Sequence, residues 1–154
     1  MNRETQASGG TLVEQARALL SGQKDRIANA ANLSALLFLE FGDISWAGFY
    51  FLRGDKLILG PFQGKPACVS IPMGKGVCGT AAASRTTQRV ADVHSFAGHI
   101  ACDVDARSEV VVPLVLHGVL IGVLDIDSST LARFNAQDQE LIEQLAKTYI
   151  TSID

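Results

Sequence analysis

Ser108-Glu109-Val110-Val111-Val112-Pro113-Leu114-Val115-Leu116-His117-Gly118-Val119-Leu120-Ile121-Gly122-Val123-Leu124-Asp125-Ile126-Asp127-Ser128 is the most strongly patterned stretch of the chain. Val110 to Leu116 and Val119 to Ile126 flank His117-Gly118, a two-residue turn signal, and so read as a β-hairpin. Apolar residues fall on both faces of each run, which marks central strands covered on both sides. Pro113, His117, Gly118, Gly122 and Asp125 interrupt the run, so it is no membrane span, which needs about 20 apolar residues. Asp125 and Asp127 sit two apart and therefore on one face. Glu109 begins the partner strand. A strict two-residue turn faces it the other way, whereas a bulge near Pro113 or a three-residue turn brings it to the same face. An aspartate in such a run must be hydrogen-bonded, paired or poised for a task, since burying it unpaired costs on the order of several kcal/mol. Strand-end carboxylates that cap local amides are the plain alternative. Neighbouring carboxylates raise one another's proton affinity, which suits one to donate a proton near neutral pH and others to hold a cation.

Outward from this hairpin, the pattern alternates between helical and extended periods. Thr11-Leu12-Val13-Glu14 reads as a capping box that starts a helix with Leu12, Val13, Ala16, Leu19 and Leu20 on one face. Ile27, Ala31, Ser34, Leu37, Phe38 and Phe41 mark a second helix. Trp46 to Leu52 reads as a strand, Gly54-Asp55 as a turn and Leu57-Ile58-Leu59 as the returning partner, with Gly60-Pro61 as punctuation. Trp46 and Tyr50 share one strand face, either as core or as an aromatic box for a small apolar group. A short strand is expected over Ala67 to Ile71, a helical patch around Gly79–Ser84, an extended piece at Gln88–Val93 and a long loop from His94 to Arg107. Asn135 caps a last helix with Leu141, Ile142, Leu145, Ala146, Tyr149 and Ile150 in one stripe. This order segregates helices from a largely antiparallel sheet. The expectation is an α+β single domain, residues 11–154, with N- and C-terminal helices packed together on one face and a flexible tail over residues 1–10.

With 154 residues, 47% of them apolar, the chain can bury a sizeable core. A net charge of -3 without a basic run argues against nucleic acid. The first residues lack the apolar core of a signal peptide, so a cytoplasmic protein is expected, in a compartment where structural disulfides are rare. All three cysteines, Cys68, Cys78 and Cys102, fall in one glycine-broken stretch with His94 and His99. A permanent disulfide leaves one thiol over, and three thiolates make an incomplete zinc site. Inert packing, metal binding and redox chemistry are all open at this point. Nothing is paired as C-x-x-C, so no metal is expected. Gly74-Lys75-Gly76-Val77-Cys78-Gly79 matches G-x-G-x-x-G, but the downstream strands form an antiparallel hairpin rather than a returning parallel strand, which removes the dinucleotide reading. Cys102 lies in the long loop, and loops of that length without structure of their own are commonly functional.

Taken together, the chain resembles the GAF domains and, among them, the free methionine-(R)-sulfoxide reductases. The resemblance rests on Trp46-Ala47-Gly48-Phe49-Tyr50, Gly60-Pro61-Phe62-Gln63-Gly64, Ala67-Cys68, Gly74 to Ala81, His99-Ile100-Ala101-Cys102-Asp103, Ser108 to Pro113 and Leu124 to Ser128. It implies thiol-dependent reduction of the free R-epimer sulfoxide. Cys102 would attack the sulfoxide sulfur, Asp127 would help protonate the departing oxygen, and Glu109 with Asp125 would hold the substrate ammonium. Trp46 and Tyr50 would line the methyl-thioether side. A sulfenic acid on Cys102 would then condense with a resolving cysteine, Cys68 first and Cys78 second, to a disulfide recycled by thioredoxin, with no bound cofactor. Pairing of two copies through the terminal helices is also in keeping with the resemblance. A small-ligand-sensing GAF module without catalysis is the alternative.

Overall fold

A computed structural model describes residues 9–154. The helices α1 (Gly9–Leu20) and α2 (Arg26–Glu40) precede the strands β1 (Trp46–Arg53), β2 (Lys56–Gly64) and β3 (Ser70–Pro72). Helix α3 (Gly76–Ser84) and strand β4 (Gln88–Val90) lead into the long loop, and β5 (Ser108–Leu116), β6 (Val119–Ser128) and α4 (Ala136–Ile153) complete the chain. The strands form one sheet in the order β3-β2-β1-β6-β5-β4, antiparallel at every junction. Among the described residues no helix is long and apolar enough to cross a membrane.

One face of the sheet carries the main core. Ala47, Phe49, Val110, Val112, Leu124 and Ile126 meet Leu12, Leu33, Leu37, Ile142, Leu145 and Tyr149 of α1, α2 and α4, so the terminal helices do pack together on one side. The Tyr149 hydroxyl, buried with its ring against Phe49, donates to the Arg26 carbonyl at 2.9 Å. Asp25 caps α2 by accepting from the Ala28 amide, and Asn135 and Asp138 form a reciprocal capping box on α4. The opposite face is thinner. There Val77, Cys78, Ala81 and Ala82 of α3 cover Trp46, Tyr50, Val111 and Val123.

Several expected boundaries need correction. Gly9 and Gly10 already belong to α1, so Thr11 lies inside the helix and does not open it with a capping box; the rest of the expected tail falls outside the described residues. Strand β2 does not stop at Leu59 but runs through Gly60-Pro61 to Gly64. The pairing shifts between Gly48 and Tyr50, which places Gly60 and Pro61 together opposite Phe49, and this bulge accommodates a residue with no N–H. Helix α3 starts at Gly76, a turn earlier than its apolar pattern suggests.

The β5–β6 hairpin turns at His117-Gly118, both at positive φ, as a two-residue hairpin turn requires. Leu116 pairs with Val119 and Val115 with Leu120, but Leu114 pairs with Gly122, so Ile121 is an extra residue in β6. From there on Glu109 lies directly opposite Asp127. Gly122 lies against β1 so closely that a Cβ would fall 2.1 Å from the Tyr50 carbonyl oxygen and 3.0 Å from the Phe51 Cα. Neither neighbour is a flexible side chain. Gly122→Ala is therefore expected to cost about 3 kcal/mol, read as a lower urea midpoint at unchanged slope; a wild-type midpoint would contradict this close approach of β1 and β6.

Candidate active site

The bulge at Ile121 and the strand period of two bring five chemical side chains to the thinner face. Asp127 of β6 lies between Trp46 of β1 and Glu109 of β5, each its direct cross-strand partner. Asp125 is opposite Gly48 and Val111, and Tyr50 lies further along the same face opposite Val123. Gly48 has no side chain for a reason: a Cβ there would fall 2.3 Å from Phe62 Cβ and 2.7 Å from the far edge of the Trp46 ring. Its absence lets Trp46 lie flat between Phe62 (5.2 Å between ring centroids) and Tyr50 (5.9 Å).

The three carboxyl groups are all buried, at 8% exposure for Glu109 and Asp127 and 4% for Asp125. Burial pushes the proton affinity of each well above the ordinary carboxylate range. The charge of Asp125 adds to this at Glu109, that of Asp127 at Asp125, and that of Glu109 at Asp127. One oxygen of Asp125 and one of Asp127 are buried without any hydrogen-bond partner. Cys78 points into the same group and donates its S–H to Glu109 Oε2 at 3.8 Å. Burial, and then the charges of Asp125 and Glu109, raise the Cys78 thiol far above its usual range, so it stays protonated. Cys78, Glu109 and Asp125 each place a donor atom within 4.8 Å of the others, close enough to surround a small cation.

The other two cysteines lie at the mouth. Cys68, just before β3, and Cys102, in the long loop, are joined as a disulfide with their Cα atoms 5.2 Å apart. Several contacts seat the two segments. Tyr50 Oη donates to the Cys68 carbonyl at 3.0 Å and Trp46 Nε1 to the Lys65 carbonyl at 3.1 Å. Lys65 pairs with Asp105 across the mouth. The Gly76 amide donates to the Gly98 carbonyl at 3.1 Å, which fastens the long loop to the start of α3. At the loop's base, the Val93 amide donates to the Arg107 carbonyl and the Arg107 amide to that of Ser128.

Behind the mouth lies a narrow, partly open cavity with room for water-sized centres of only about 40 Å³. Trp46, Tyr50, Cys78, Cys102, Glu109, Asp125 and Asp127 all line it. Cys68 reaches it only through its bond to Cys102 and its neighbours Pro66 and Ala67. Sequence reasoning misses Phe62, the backing of Trp46, and the apolar lining from Ile71, Val77 and Ile100. It also gives His99 no role, yet His99 lines the cavity; burial and then the nearby His94 lower its proton affinity, which keeps it neutral at pH 7. The one available signal is the placement of His99 three residues before Cys102.

Residues 27–154 match the GAF domain family model. The free methionine-R-sulfoxide reductase of Escherichia coli is 53% identical over 139 residues, 88% of this chain and 84% of that protein. The chain belongs to the GAF-domain family of free methionine-R-sulfoxide reductases. Two solved structures extend the likeness. The Staphylococcus aureus fRMsr in complex with substrate superposes with a TM-score of 0.92 at 48% identity, covering 96% of this chain and 97% of that one. The Neisseria meningitidis free methionine-R-sulfoxide reductase in complex with its substrate gives 0.93 at 41% identity, covering 99% and 92%.

For this GAF domain the buried acids have a measurable consequence. A carboxyl whose folded proton affinity is raised binds more protons folded than unfolded, so stability is lost as pH rises from about 4 through the raised folded value. Asp125→Asn removes that loss. The variant is expected to melt about 2–4 °C above wild type at pH 8, an effect of roughly 1 kcal/mol for a chain of this length, and to lose its advantage near pH 4. A Tm gain that is the same at both pH values would show that Asp125 is not the protonated, desolvated group described.

Proposed function

We propose that this chain reduces free methionine-(R)-sulfoxide to methionine, with Cys102 as nucleophile and thioredoxin as final reductant. The observation that carries the reading is the Cys68–Cys102 disulfide at the mouth of a cavity whose floor holds three buried acids, two of them with an oxygen left unpartnered. A zwitterionic amino acid fits such a floor. Its ammonium supplies the positive charge that Glu109 and Asp125 lack and a donor for the unpartnered Asp125 oxygen, and its methyl-thioether end lies against Trp46 and Tyr50.

The chemistry depends on where each proton is held. The Cys102 thiolate attacks the sulfoxide sulfur while Asp127, kept protonated by burial and by Glu109, gives its proton to the oxygen. Collapse leaves methionine and a sulfenic acid on Cys102. The Cys68 thiol attacks that sulfur, expels water and forms the disulfide. Thioredoxin then supplies two thiols and two electrons, which restores Cys68 and Cys102. Cys78 serves less well in either thiol role, because burial and then the surrounding carboxylates oppose its ionisation. The disulfide favours Cys68 over Cys78 as the resolving partner.

Turnover of separated R and S epimers of free methionine sulfoxide with dithiothreitol tests the activity directly, and absence of methionine from the R form sinks it. Cys102→Ser is expected to abolish even a single turnover. Cys68→Ser should release one methionine per chain yet fail to recycle through thioredoxin; if Cys78→Ser behaves so instead, the resolving assignment moves. Asp127→Asn should lower kcat at least ~100-fold with a smaller change in KM. The wild-type kcat should fall as pH rises through the raised Asp127 value, and this limb should vanish in Asp127→Asn.

A further inference from the structure

Recycling requires a second protein to reach the disulfide, and the surface around it is not neutral ground. Val69 and Val104 are among the most exposed large apolar residues of the chain, at 67% and 81%. Each comes just after one of the paired cysteines, Val69 by one residue and Val104 by two. From the 5.2 Å between the cysteine Cα atoms and 3.8 Å per peptide, their Cα atoms lie no more than about 17 Å apart. A single partner surface spans that distance, since even a standard interface covers about 800 Å² per side.

Both valines are held out by ordered backbone. The Val69 carbonyl accepts from the Leu59 amide at 2.9 Å, which locks it to the edge of β2. Val104 stands in a turn closed by the Ala106 amide on the Asp103 carbonyl at 3.2 Å and by the Asp105 amide on the Asp103 carboxylate at 2.9 Å. Lys65 and Asp105, whose charges cancel, bridge the two segments. The rim of the disulfide is thus apolar at two fixed points, with Lys65 and Asp105 paired and the half-buried Asp103 turned to its own loop backbone. Scattered surface valines need no explanation, but two flanking a bond that another protein must open do.

We propose that Val69 and Val104 form the docking surface for the protein dithiol that reduces Cys68–Cys102, a partner whose reactive thiol sits in an apolar rim. This rests on the reductase reading above and adds the place where the reductant binds. The partner's thiolate attacks Cys68 Sγ, the Cys68–Cys102 bond breaks, and Cys102 leaves as the thiolate. The partner's second thiol then displaces Cys68, so the partner ends as a disulfide and this chain as two thiols. Docking excludes water from the sulfurs and aligns the incoming thiolate with the bond. Dithiothreitol, being small, needs no such surface.

That difference supplies the test. Val69→Glu, Val104→Glu and the double variant are assayed with thioredoxin and, separately, with dithiothreitol. The expected result is a KM for thioredoxin raised at least ~10-fold in the double variant, with dithiothreitol-driven turnover within about twofold of wild type. Val69→Ile and Val104→Ile should retain the wild-type KM for thioredoxin. A thioredoxin KM within about twofold of wild type in a double variant that turns over normally with dithiothreitol overturns the proposal. If Val69→Glu disturbs folding, Val104→Glu alone, in its exposed turn, decides by the same comparison. The rate at which thioredoxin reduces the preformed disulfide, measured without any sulfoxide, separates the two readings. Slowed reduction in the glutamate variants supports the docking surface even where the R-sulfoxide assay fails.

Discussion

A single residue of register between β5 and β6 governs the chemistry of this fold. Without the extra Ile121, Glu109 would pair with Ile126 and point into the helix-covered core, where an unpaired carboxylate would cost roughly several kcal/mol. With it, Glu109 comes opposite Asp127, and three acids share the one face that has an opening. The bulge is held by Gly122, whose missing side chain permits contact with the β1 backbone. Hairpin, bulge and strand spacing are therefore one device, which gathers charge on one face and keeps it off the other.

Such a face is a liability for stability, and the rest of the molecule offsets it. Buried acids with raised proton affinities and unpartnered oxygens work against folding at neutral pH. Their counterweight is the opposite face, where α1, α2 and α4 bury a largely apolar layer and where Tyr149 Oη and Ser34 Oγ have partners. The cavity face has little comparable packing from helices, only α3, and depends on tethers. The disulfide, the Tyr50 and Trp46 hydrogen bonds and the Gly76–Gly98 contact do there what interlocking side chains do elsewhere.

Much of this arrangement is legible in the amino-acid sequence. Strong periodicity discloses the helices and the central hairpin, and the two-residue strand period alone puts Asp125 with Asp127 and Trp46 with Tyr50. What escapes is whatever depends on counting one residue inside a uniform apolar run. Nothing between Val115 and Gly122 marks Ile121 as extra, so the side of Glu109 stays conditional on the turn until the strands are paired. Gly60-Pro61 looks like the end of a strand because a proline ordinarily is one, and only the pairing with β1 reveals a tolerated bulge. Thr11 fails as a cap for a similar reason: its sequence fits the start of a helix, but Gly9 and Gly10 extend the helix past it. The pairing of Cys68 with Cys102 has no local signal, since it depends on how the β2–β3 connection meets a distant loop.

In the proposed reaction, the placement of the three cysteines answers a conflict between two requirements. The sulfoxide oxygen must meet a proton, which calls for carboxyl groups whose proton affinity is raised by burial and by one another. The sulfur must meet a thiolate, which the same negative surroundings suppress. Cys78 lies where the two conflict: it is buried beside Glu109 and Asp125, and it is the thiol whose ionisation the site opposes most directly. Cys102, the proposed nucleophile, lines the same cavity from a half-buried position on a loop fastened to α3. A nucleophile on the sheet itself would sit in the field of all three carboxylates. In the proposed reaction a tethered loop instead holds the thiolate apart from the acids and next to its disulfide partner Cys68.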